Sequence, residues 1–247
     1  MFRESKIRQS IGLIIARRDS HNKDFEYLLV SRRHTFAYVD FICGRYNVND
    51  TSYVIKLLSQ MTIKERICLL TMKFTKIWSD LWLSSKHNCR GFGRASEKFE
   101  YMLHKRQIIL TLIEQLPCRW REPEWGFPKG HQEKNENPLD CAIREVYEET
   151  LVRPFDYVIL PFPHVDEFLR GTDGVAYHNI FFLCHAMPWI APRLDASNTN
   201  QIQEIGNIQW LTFGGALKKF RHYETQHVDT LTKVHSLMEA FWSTRTV

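Results

Sequence analysis

The chain opens with two short apolar runs that have the composition of β-strands. Ser10–Ala16 (SIGLIIA) and Phe25–Ser31 (FEYLLVS) are rich in β-branched, aromatic and leucine residues. The polar segment between them, residues 21–24 (HNKD), consists of residues common in turns. Two such runs around a polar segment predict a β-hairpin.

The pattern then changes to apolar residues at helical spacing. Thr62-x-x-Glu65 has the form of a capping box, which begins a helix. Thr75–Leu83 continues the helical pattern, and we expect Ser96 to cap a long helix that ends at Pro117. The apolar positions that recur at helical spacing are Val54, Ile55, Leu57, Leu58, Met61, Ile63, Ile67, Leu70, Phe99, Met102, Leu103, Leu110, Ile113 and Leu116.

Strand-like composition returns after Pro117. The predicted strands are Trp125–Phe127, Val158–Phe162, Ala176–Leu183 and Ile208–Phe213, and Leu231–Trp242 is a predicted closing helix. We therefore expect a β-rich domain formed by residues 1–36 and 117–247. An all-helical insertion, residues 37–116, is expected to interrupt it.

Composition places the chain among ordinary globular proteins, since 44% of its 247 residues are hydrophobic and 25% are charged. No apolar run approaches the ~20 residues that cross a bilayer. The charged N-terminus has no apolar segment of a secretion signal. The cysteines lack any C-x-x-C spacing, so we expect reduced thiols and a cytoplasmic protein. They are Cys43, Cys68, Cys89, Cys118, Cys141 and Cys184.

Charge is distributed unevenly along the chain. The formal net charge is +5, yet residues 45–116 alone hold 12 Lys and Arg against 6 Asp and Glu. This segment, which makes up most of the predicted helical insertion, is therefore basic, with a net charge of +6. A basic surface attracts polyanions such as RNA. An ordinary solvated helical surface explains the same charge, so composition alone leaves both interpretations open.

A dense set of carboxylates follows the helical region. The segment has the pattern Gly130-x5-Glu136-x7-Arg144-Glu145-Val146-Tyr147-Glu148-Glu149. Asn137 is a good N-cap and Pro138 suits the first helical position. At 100° per residue, the three late glutamates share about a third of the helix circumference. Crowded carboxylates are ligands for hard divalent cations such as Mg²⁺ and Mn²⁺.

This segment resembles the signature of the Nudix hydrolases at every fixed position except the last glycine, where Leu151 stands. The resemblance implies an α+β fold, an α/β/α sandwich with a mixed sheet. It also implies two to three Mg²⁺ or Mn²⁺ ions, held by Glu145, Glu148 and Glu149. Leucine at 151 predicts an exit from the helix different from the left-handed one that glycine eases.

The same resemblance assigns roles to neighbouring residues. Glu136 is expected to pair with Arg144 and support the loop, and the carbonyl of Gly130 to join the metal ligands. Lys129, in the preceding stretch WGFPKG, is a candidate for a phosphate contact or an ordinary surface lysine. Glu204, in QEIGNIQW, is the candidate fourth ligand or general base, although a solvent-facing glutamate fits the pattern too.

The helical insertion together with WGFPKG resembles the mRNA-decapping Nudix proteins of large DNA viruses. That family implies capped mRNA as partner, cleaved to 7-methyl-GDP and 5′-monophosphate RNA, and a surface for the RNA body. Trp78 and Trp82 are either stacking residues or core residues. The candidates for RNA binding are Lys86, Arg90, Phe92, Arg94 and Lys98, and the candidates for the base or phosphate pocket are Asp173, Tyr177 and His178.

Two alternatives stay open at the level of sequence. One is a phosphohydrolase for diphosphoinositol polyphosphates or nucleoside diphosphate-linked substrates, with inositol pyrophosphates as partners and a purely structural insertion. The other, from a different class, is a non-catalytic RNA-binding protein on a Nudix scaffold. Three adjacent glutamates argue against the second alternative, because binding an anion does not require them.

Overall fold

The structure, a computed structural model, describes residues 7–18, 24–84, 91–104, 111, 113, 115–117, 119–171 and 174–244. Its strands are β1 Arg8–Arg18, β2 Phe25–Arg32, β3 Trp125–Gly126, β4 Lys129–Gly130, β5 Tyr157–Ile159, β6 Val165–Arg170, β7 Ala176–Ala186 and β8 Ile205–Thr212. Its helices are α1 Phe36–Ile42, α2 Thr51–Gln60, α3 Ile63–Thr71, α4 Phe74–Trp82, α5 Phe92–His104, α6 Pro138–Thr150, α7 Thr199–Glu204, α8 Phe213–Lys219 and α9 Thr225–Ser243.

The strands form one mixed sheet. Along its main path the order is β3-β2-β1-β7-β5, while β4 pairs with β1, β6 with β7 and β8 with β2. The long central strands β1 and β7 are parallel, whereas the pairs β1–β2, β1–β4 and β6–β7 are antiparallel. The predicted hairpin of β1 and β2 is confirmed, and each of its strands extends beyond the predicted run.

By its internal contacts the chain divides into two units. The first comprises Met1–Ser31, Trp125–Gln201 and Asn207–Val247, and the second comprises Arg32–Glu124 and Ile202–Gly206. Helices α1–α5 belong to the second unit, as do residues 37–116 of the predicted insertion.

The first unit has a buried core on each face of the sheet. Side chains of β1 alternate between the faces, because successive residues of a strand point in opposite directions. Leu13 and Ile15 pack on the side of α6, and Ile14 and Ala16 pack on the side of α8 and α9. Helices therefore cover both faces of a mixed sheet, and the predicted α+β fold, an α/β/α sandwich, is confirmed.

The second unit has its own core, and one buried glutamate joins two of its helices. Glu65 accepts hydrogen bonds from the backbone N–H and hydroxyl of Thr62, at 2.8 and 3.0 Å, so the predicted capping box is confirmed. The same carboxylate accepts the N–H and hydroxyl of Thr35, the N-cap of α1, at 2.7 and 2.9 Å. A single carboxylate thus satisfies the N-terminal ends of α1 and α3.

Several predicted boundaries were wrong. Helix α5 begins at Phe92, so Ser96 lies inside the helix and does not cap it. The predicted strand Val158–Phe162 is shorter and begins one residue earlier, at Tyr157. Strand β6 and helix α1 were missed. Each is short, and in β6 the buried positions include a charged residue, Glu167, which hides the alternation of apolar and polar residues.

Candidate active site on helix α6

Helix α6 forms where the sequence predicts it. Asn137 caps it by accepting the Asp140 N–H at 2.9 Å, and Pro138 occupies the first turn, where no backbone donor is needed. The buried face consists of Cys141, Ala142, Val146 and Thr150. This face packs on the sheet, so the carboxylates on the remaining surface keep a fixed direction.

Two of the three predicted carboxylates face strand β4, and the third faces solvent. Glu149 accepts the backbone N–H of Lys129 at 3.1 Å, and Glu145 lies against Gly130. The side chain of Glu148 is 55% exposed and has an Arg144 guanidinium nitrogen 3.4 Å away. The box glutamates are therefore unequal: Glu145 and Glu149 line the β4 edge, and Glu148 approaches from outside.

Gly130 makes room for the Glu145 carboxylate. A Cβ at residue 130 would lie 2.0 Å from one Glu145 carboxylate oxygen and 2.1 Å from its carboxyl carbon. Both are far below any van der Waals contact. Glycine is thus required at this position for the close approach of backbone and carboxylate, which explains the first residue of the motif.

The predicted pairing of Glu136 with Arg144 is present. Arg144 Nε and Nη2 donate to the two Glu136 oxygens at 2.8 and 2.9 Å. Its Nη1 donates to Glu145 at 2.7 Å, and its Nη2 also donates to the His131 carbonyl at 3.1 Å. The hydrogen bonds from Arg144 and from the Glu133 N–H lower the pKa of Glu136 to about 2. Arg144 thus ties the loop, the helix and one metal-ligand candidate together.

Leu151 ends helix α6 in the left-handed conformation, with φ 58° and ψ 16°. Its backbone N–H donates to the Tyr147 carbonyl at 2.9 Å. The prediction of a different helix exit was wrong, because leucine adopts the backbone conformation that glycine would take. A Cβ in that region is strained by about 1–2 kcal/mol, so packing and the hydrogen bond must hold Leu151 there.

The donor set fits a divalent cation in its chemistry. Glu145, Glu149 and the Gly130 carbonyl lie at one edge, where glycine opens the space beside a carboxylate. Hard cations prefer such oxygen ligands. Within the described part of the chain, however, no three His, Cys, Asp or Glu side chains already converge on one point. Arg144 draws the Glu145 and Glu148 carboxylates toward itself, and binding a cation requires them to turn from it.

The other predicted site residues lie on several elements. Lys129 is half-buried in β4, directly before Gly130. Glu204 is exposed at the end of α7, and its carbonyl accepts the Arg33 N–H at 2.8 Å. It falls in the second unit. Its part as a fourth ligand or base stays a prediction.

The RNA-binding candidates have different surroundings. Lys86 and Arg90, like the pocket candidate Asp173, lie outside the described residues. Arg94 is exposed, whereas Phe92 packs against Trp78 with ring centroids 5.4 Å apart. These positions make Arg94 the described candidate that is most open to a phosphate group.

Two candidates have structural roles in the second unit. The Lys98 ammonium donates to the carbonyls of Gly44 and Tyr46 at 2.7 and 2.6 Å. Its role here is to link α5 to the end of α1. Trp78 is buried in the helical core, as the simpler interpretation expected, and Trp82 is 36% exposed.

A buried polar network that the sequence did not reveal lies close to the residues before Gly130. Glu167 accepts from His227 Nδ1 at 2.7 Å and from the Asn179 amide at 2.7 Å. The side chain of Glu167 is 1% exposed. His227 also stacks edge-on against Phe127. These residues are far apart in sequence, and no local motif connects them.

The family model for the NUDIX domain matches residues 103–230. The mRNA-decapping protein g5R of an African swine fever virus isolate is 30% identical over 213 residues, which cover 83% of this chain and 85% of that protein. The chain belongs to the Nudix family. Nudix hydrolases use divalent metal ions such as Mg²⁺ or Mn²⁺, in agreement with the donor set.

Two further proteins are similar to this chain. A candidate mRNA-decapping protein of Acanthamoeba polyphaga mimivirus is 29% identical over 235 residues, covering 85% of this chain and 64% of that protein. The crystal structure of a C. elegans Ap4A hydrolase binary complex covers 95% of this chain and 99% of its own, with 14% identity and a TM-score of 0.50. The structural likeness supports the fold alone. Among the described residues, no helix of this Nudix protein is long and apolar enough to cross a membrane.

Proposed function

We propose that this Nudix hydrolase removes the 5′ cap of mRNA. Water would attack a phosphorus atom of the cap, and the products would be 7-methyl-GDP and RNA with a 5′-monophosphate. The observation that carries the proposal is the β4 edge, where Glu145 and Glu149 flank Lys129 and Gly130. The substrate assignment draws on the viral mRNA-decapping protein that resembles this chain over 83% of its length.

The residues at the β4 edge would have separate roles in the reaction. Glu145, Glu149 and the Gly130 carbonyl would hold the metal ions, with Glu148 reaching in from its exposed position. Bound divalent cations neutralise phosphate charge and lower the pKa of water. Lys129, one residue before Gly130, would bind a phosphate oxygen through its ammonium. Arg144 orients Glu145 and the loop through its bonds to Glu136 and His131.

Glu204 is our candidate for the group that takes the proton from the attacking water. A base has to reach solvent and the reacting water, and Glu204 is exposed at the end of α7. If a Glu204→Gln variant keeps the wild-type kcat over the whole pH range, Glu204 is not the base. The assignment of Glu145 and Glu149 would be unaffected.

The basic helical unit is proposed to bind the RNA body. Its segment 45–116 carries 12 basic against 6 acidic residues, and Arg94 is exposed on α5. RNA contacts of this kind depend on salt, because each phosphate that is neutralised releases counterions. An Arg94→Ala variant should show a smaller salt slope of RNA affinity, by about one contact. Arg153→Ala, which removes an exposed arginine of the first unit, is the matched control.

Competition separates decapping from the inositol alternative. Uncapped RNA should inhibit cleavage of cap-labelled RNA strongly if the helical unit grips the RNA body. If a diphosphoinositol polyphosphate is cleaved faster than capped RNA, and uncapped RNA does not inhibit, the decapping proposal is wrong. Neither the inositol alternative nor the non-catalytic one draws support from the relatives described above.

A further inference from the structure

The side chain of Lys129 leaves strand β4 on the sheet face opposite helix α6. Lys129 is the register partner of Gly12 in β1. A Cβ on Gly12 would lie 2.6 Å from the Lys129 Cβ, so the two residues point to the same face. Ile14 and Ala16, two and four positions after Gly12, pack on the side of α8 and α9. The Lys129 side chain therefore starts on the face that carries α9.

A largely buried histidine of α9 lies against the same segment of the chain. The ring of His227 packs edge-on against Phe127, with centroids 6.4 Å apart. Its Nδ1 donates to one Glu167 oxygen at 2.7 Å, and the other Glu167 oxygen accepts from the Asn179 amide at 2.7 Å. Because Nδ1 is engaged by the carboxylate, Nε2 is the ring nitrogen that is left for a ligand.

Gly126 leaves open space beside this nitrogen. A Cβ on Gly126 would lie 3.8 Å from His227 Nε2, and among the described residues it would meet no other atom within 4 Å outside its chain neighbours. The side chain of His227 is 15% exposed. Gly126 is three positions before Lys129, so Nε2 and the Lys129 side chain border the same turn between β3 and β4.

His227 carries a positive charge in the folded protein. Burial and the charge of Lys129 lower its pKa, but the hydrogen bond to Glu167 and the charges of Glu167 and Glu224 outweigh them and raise it. The effect of Lys129 means that the two cations repel each other. Burial raises the pKa of Glu224, whose carboxylate also accepts the Arg221 N–H at 2.7 Å. Two cations that border one open space attract an anion to it.

We propose that His227 and Lys129 together bind one phosphate group of the substrate, on the face of β4 opposite helix α6. The proposal rests on the hydrolase function stated above and adds a second cation to its phosphate contact. The Lys129 backbone N–H donates to Glu149, so this one residue connects the carboxylates with the two cations. Glu167 is a positioning residue, because it holds the proton on His227 and does not touch the phosphate.

Binding of inorganic pyrophosphate in the presence of Mg²⁺, measured by calorimetry, tests the two cations without turnover. His227→Gln should raise the Kd by about tenfold, the loss expected for one hydrogen bond to a charged group. His222→Gln is the matched control, since His222 is an exposed histidine of the same unit, and it should leave the Kd unchanged. If His227→Gln binds pyrophosphate like the wild type, the assignment of His227 is wrong.

Glu167→Gln separates the charge of His227 from its shape, because this variant keeps the ring and removes the carboxylate that favours its proton. It should bind pyrophosphate more weakly than the wild type at pH 6. The difference should shrink as the pH rises through the raised pKa of wild-type His227, because both proteins then hold a neutral ring. Equal Kd values at every pH, or a difference that stays constant from pH 6 to pH 9, would contradict the proposal.

Cleavage of capped RNA distinguishes this proposal from the decapping function. If the wild type releases 7-methyl-GDP and His227→Gln keeps both the wild-type KM and the wild-type Kd for pyrophosphate, decapping is supported and the phosphate contact of His227 is wrong. If pyrophosphate binding depends on His227 but no capped RNA is cleaved, the phosphate contact is supported and the decapping proposal is wrong.

Discussion

Arg144 holds Glu136 through two parallel hydrogen bonds, from Nε at 2.8 Å and from Nη2 at 2.9 Å. The two residues are eight positions apart in sequence, and this contact fastens the loop before α6 to the helix. The remaining Arg144 donors reach the His131 carbonyl and the Glu145 carboxylate. One planar guanidinium therefore fixes the loop and a metal-ligand candidate together.

Arg144→Lys should slow hydrolysis by about 10–100-fold, the range seen when a supporting contact of a metal ligand is lost. Lysine keeps the charge but cannot form the two parallel bonds. The measurement is kcat for cap-labelled RNA with saturating Mn²⁺. Lys134→Arg, an exposed change in the same loop, is the control. An Arg144→Lys enzyme with wild-type kcat would show that the two parallel hydrogen bonds to Glu136 are not needed for hydrolysis.

Gly130→Ala should abolish most activity while the fold survives. The new Cβ would lie 2.0 Å from a Glu145 oxygen, and the flexible carboxylate would have to move away from β4. Gly214→Ala is a matched control, since no atom lies within 4 Å of its Cβ position. We expect both variants to keep the wild-type circular dichroism spectrum. Equal activity of the two would contradict the proposed position of Glu145.

Leu151→Gly should raise the free energy of unfolding by about 0.5–1 kcal/mol, because glycine removes the left-handed strain at φ 58°. Leu151→Ala is the control that keeps a Cβ and loses side-chain packing, so it should be less stable than wild type. Thermal unfolding of the three proteins measures this order. If Leu151→Gly is no more stable than Leu151→Ala, backbone strain is not stored at this helix end.

The Glu167–His227 pair should make stability depend on pH. Burial by itself raises the pKa of Glu167, but the hydrogen bonds and charge of His227, with the Asn179 bond, bring its pKa below the usual value. Burial lowers the pKa of His227, but the bond to Glu167 and the charges of Glu167 and Glu224 outweigh it and raise that pKa. Both shifts favour the ionised pair in the folded protein.

The directions of these two pKa shifts define the pH range in which the Glu167–His227 pair stabilises the fold. The Glu167 contribution is complete above its unfolded pKa, ~4.3, and is lost as the pH falls through its lower folded pKa. The His227 contribution is complete below ~6.5 and is lost as the pH rises through its higher folded pKa. The stability advantage of wild type over the double variant Glu167→Gln/His227→Gln should therefore be largest near pH 5–6. A difference in Tm between wild type and the double variant that stays constant from pH 5 to pH 9 would contradict this prediction.

Local patterns predicted the part of this protein that is encoded by neighbours in sequence. The N-cap at Asn137 and the capping box at Thr62 each depend on residues within one helical turn. Their spacing is visible in the chain. The Glu136–Arg144 contact was predicted from the resemblance to the Nudix signature, and the structure contains it. The three glutamates of the box were predicted on one face, but only packing against β4 shows that Glu145 and Glu149 differ from Glu148.

Contacts between distant segments were beyond local reasoning. Glu167 and His227 are sixty positions apart in sequence. Because Glu167 is a charged residue at a buried position of β6, the alternation of apolar and polar residues that would predict this strand is absent. The prediction at Leu151 was wrong for a different reason. The identity of a side chain predicts only a backbone preference, and tertiary contacts can override that preference. The position of Lys129 on the face of α9 required the β1–β4 register, which no sequence pattern supplied.

The most direct test of the central claim is the 7-methyl-GDP released from cap-labelled RNA with Mn²⁺ by the wild type, Glu149→Gln and Glu133→Gln. Glu149 contacts β4, and the exposed Glu133 is a box-loop glutamate without a proposed catalytic role. We predict that wild type and Glu133→Gln release 7-methyl-GDP at similar rates, with Glu149→Gln slower by about 100-fold or more. Equal release by wild type and Glu149→Gln would contradict the assignment of this site.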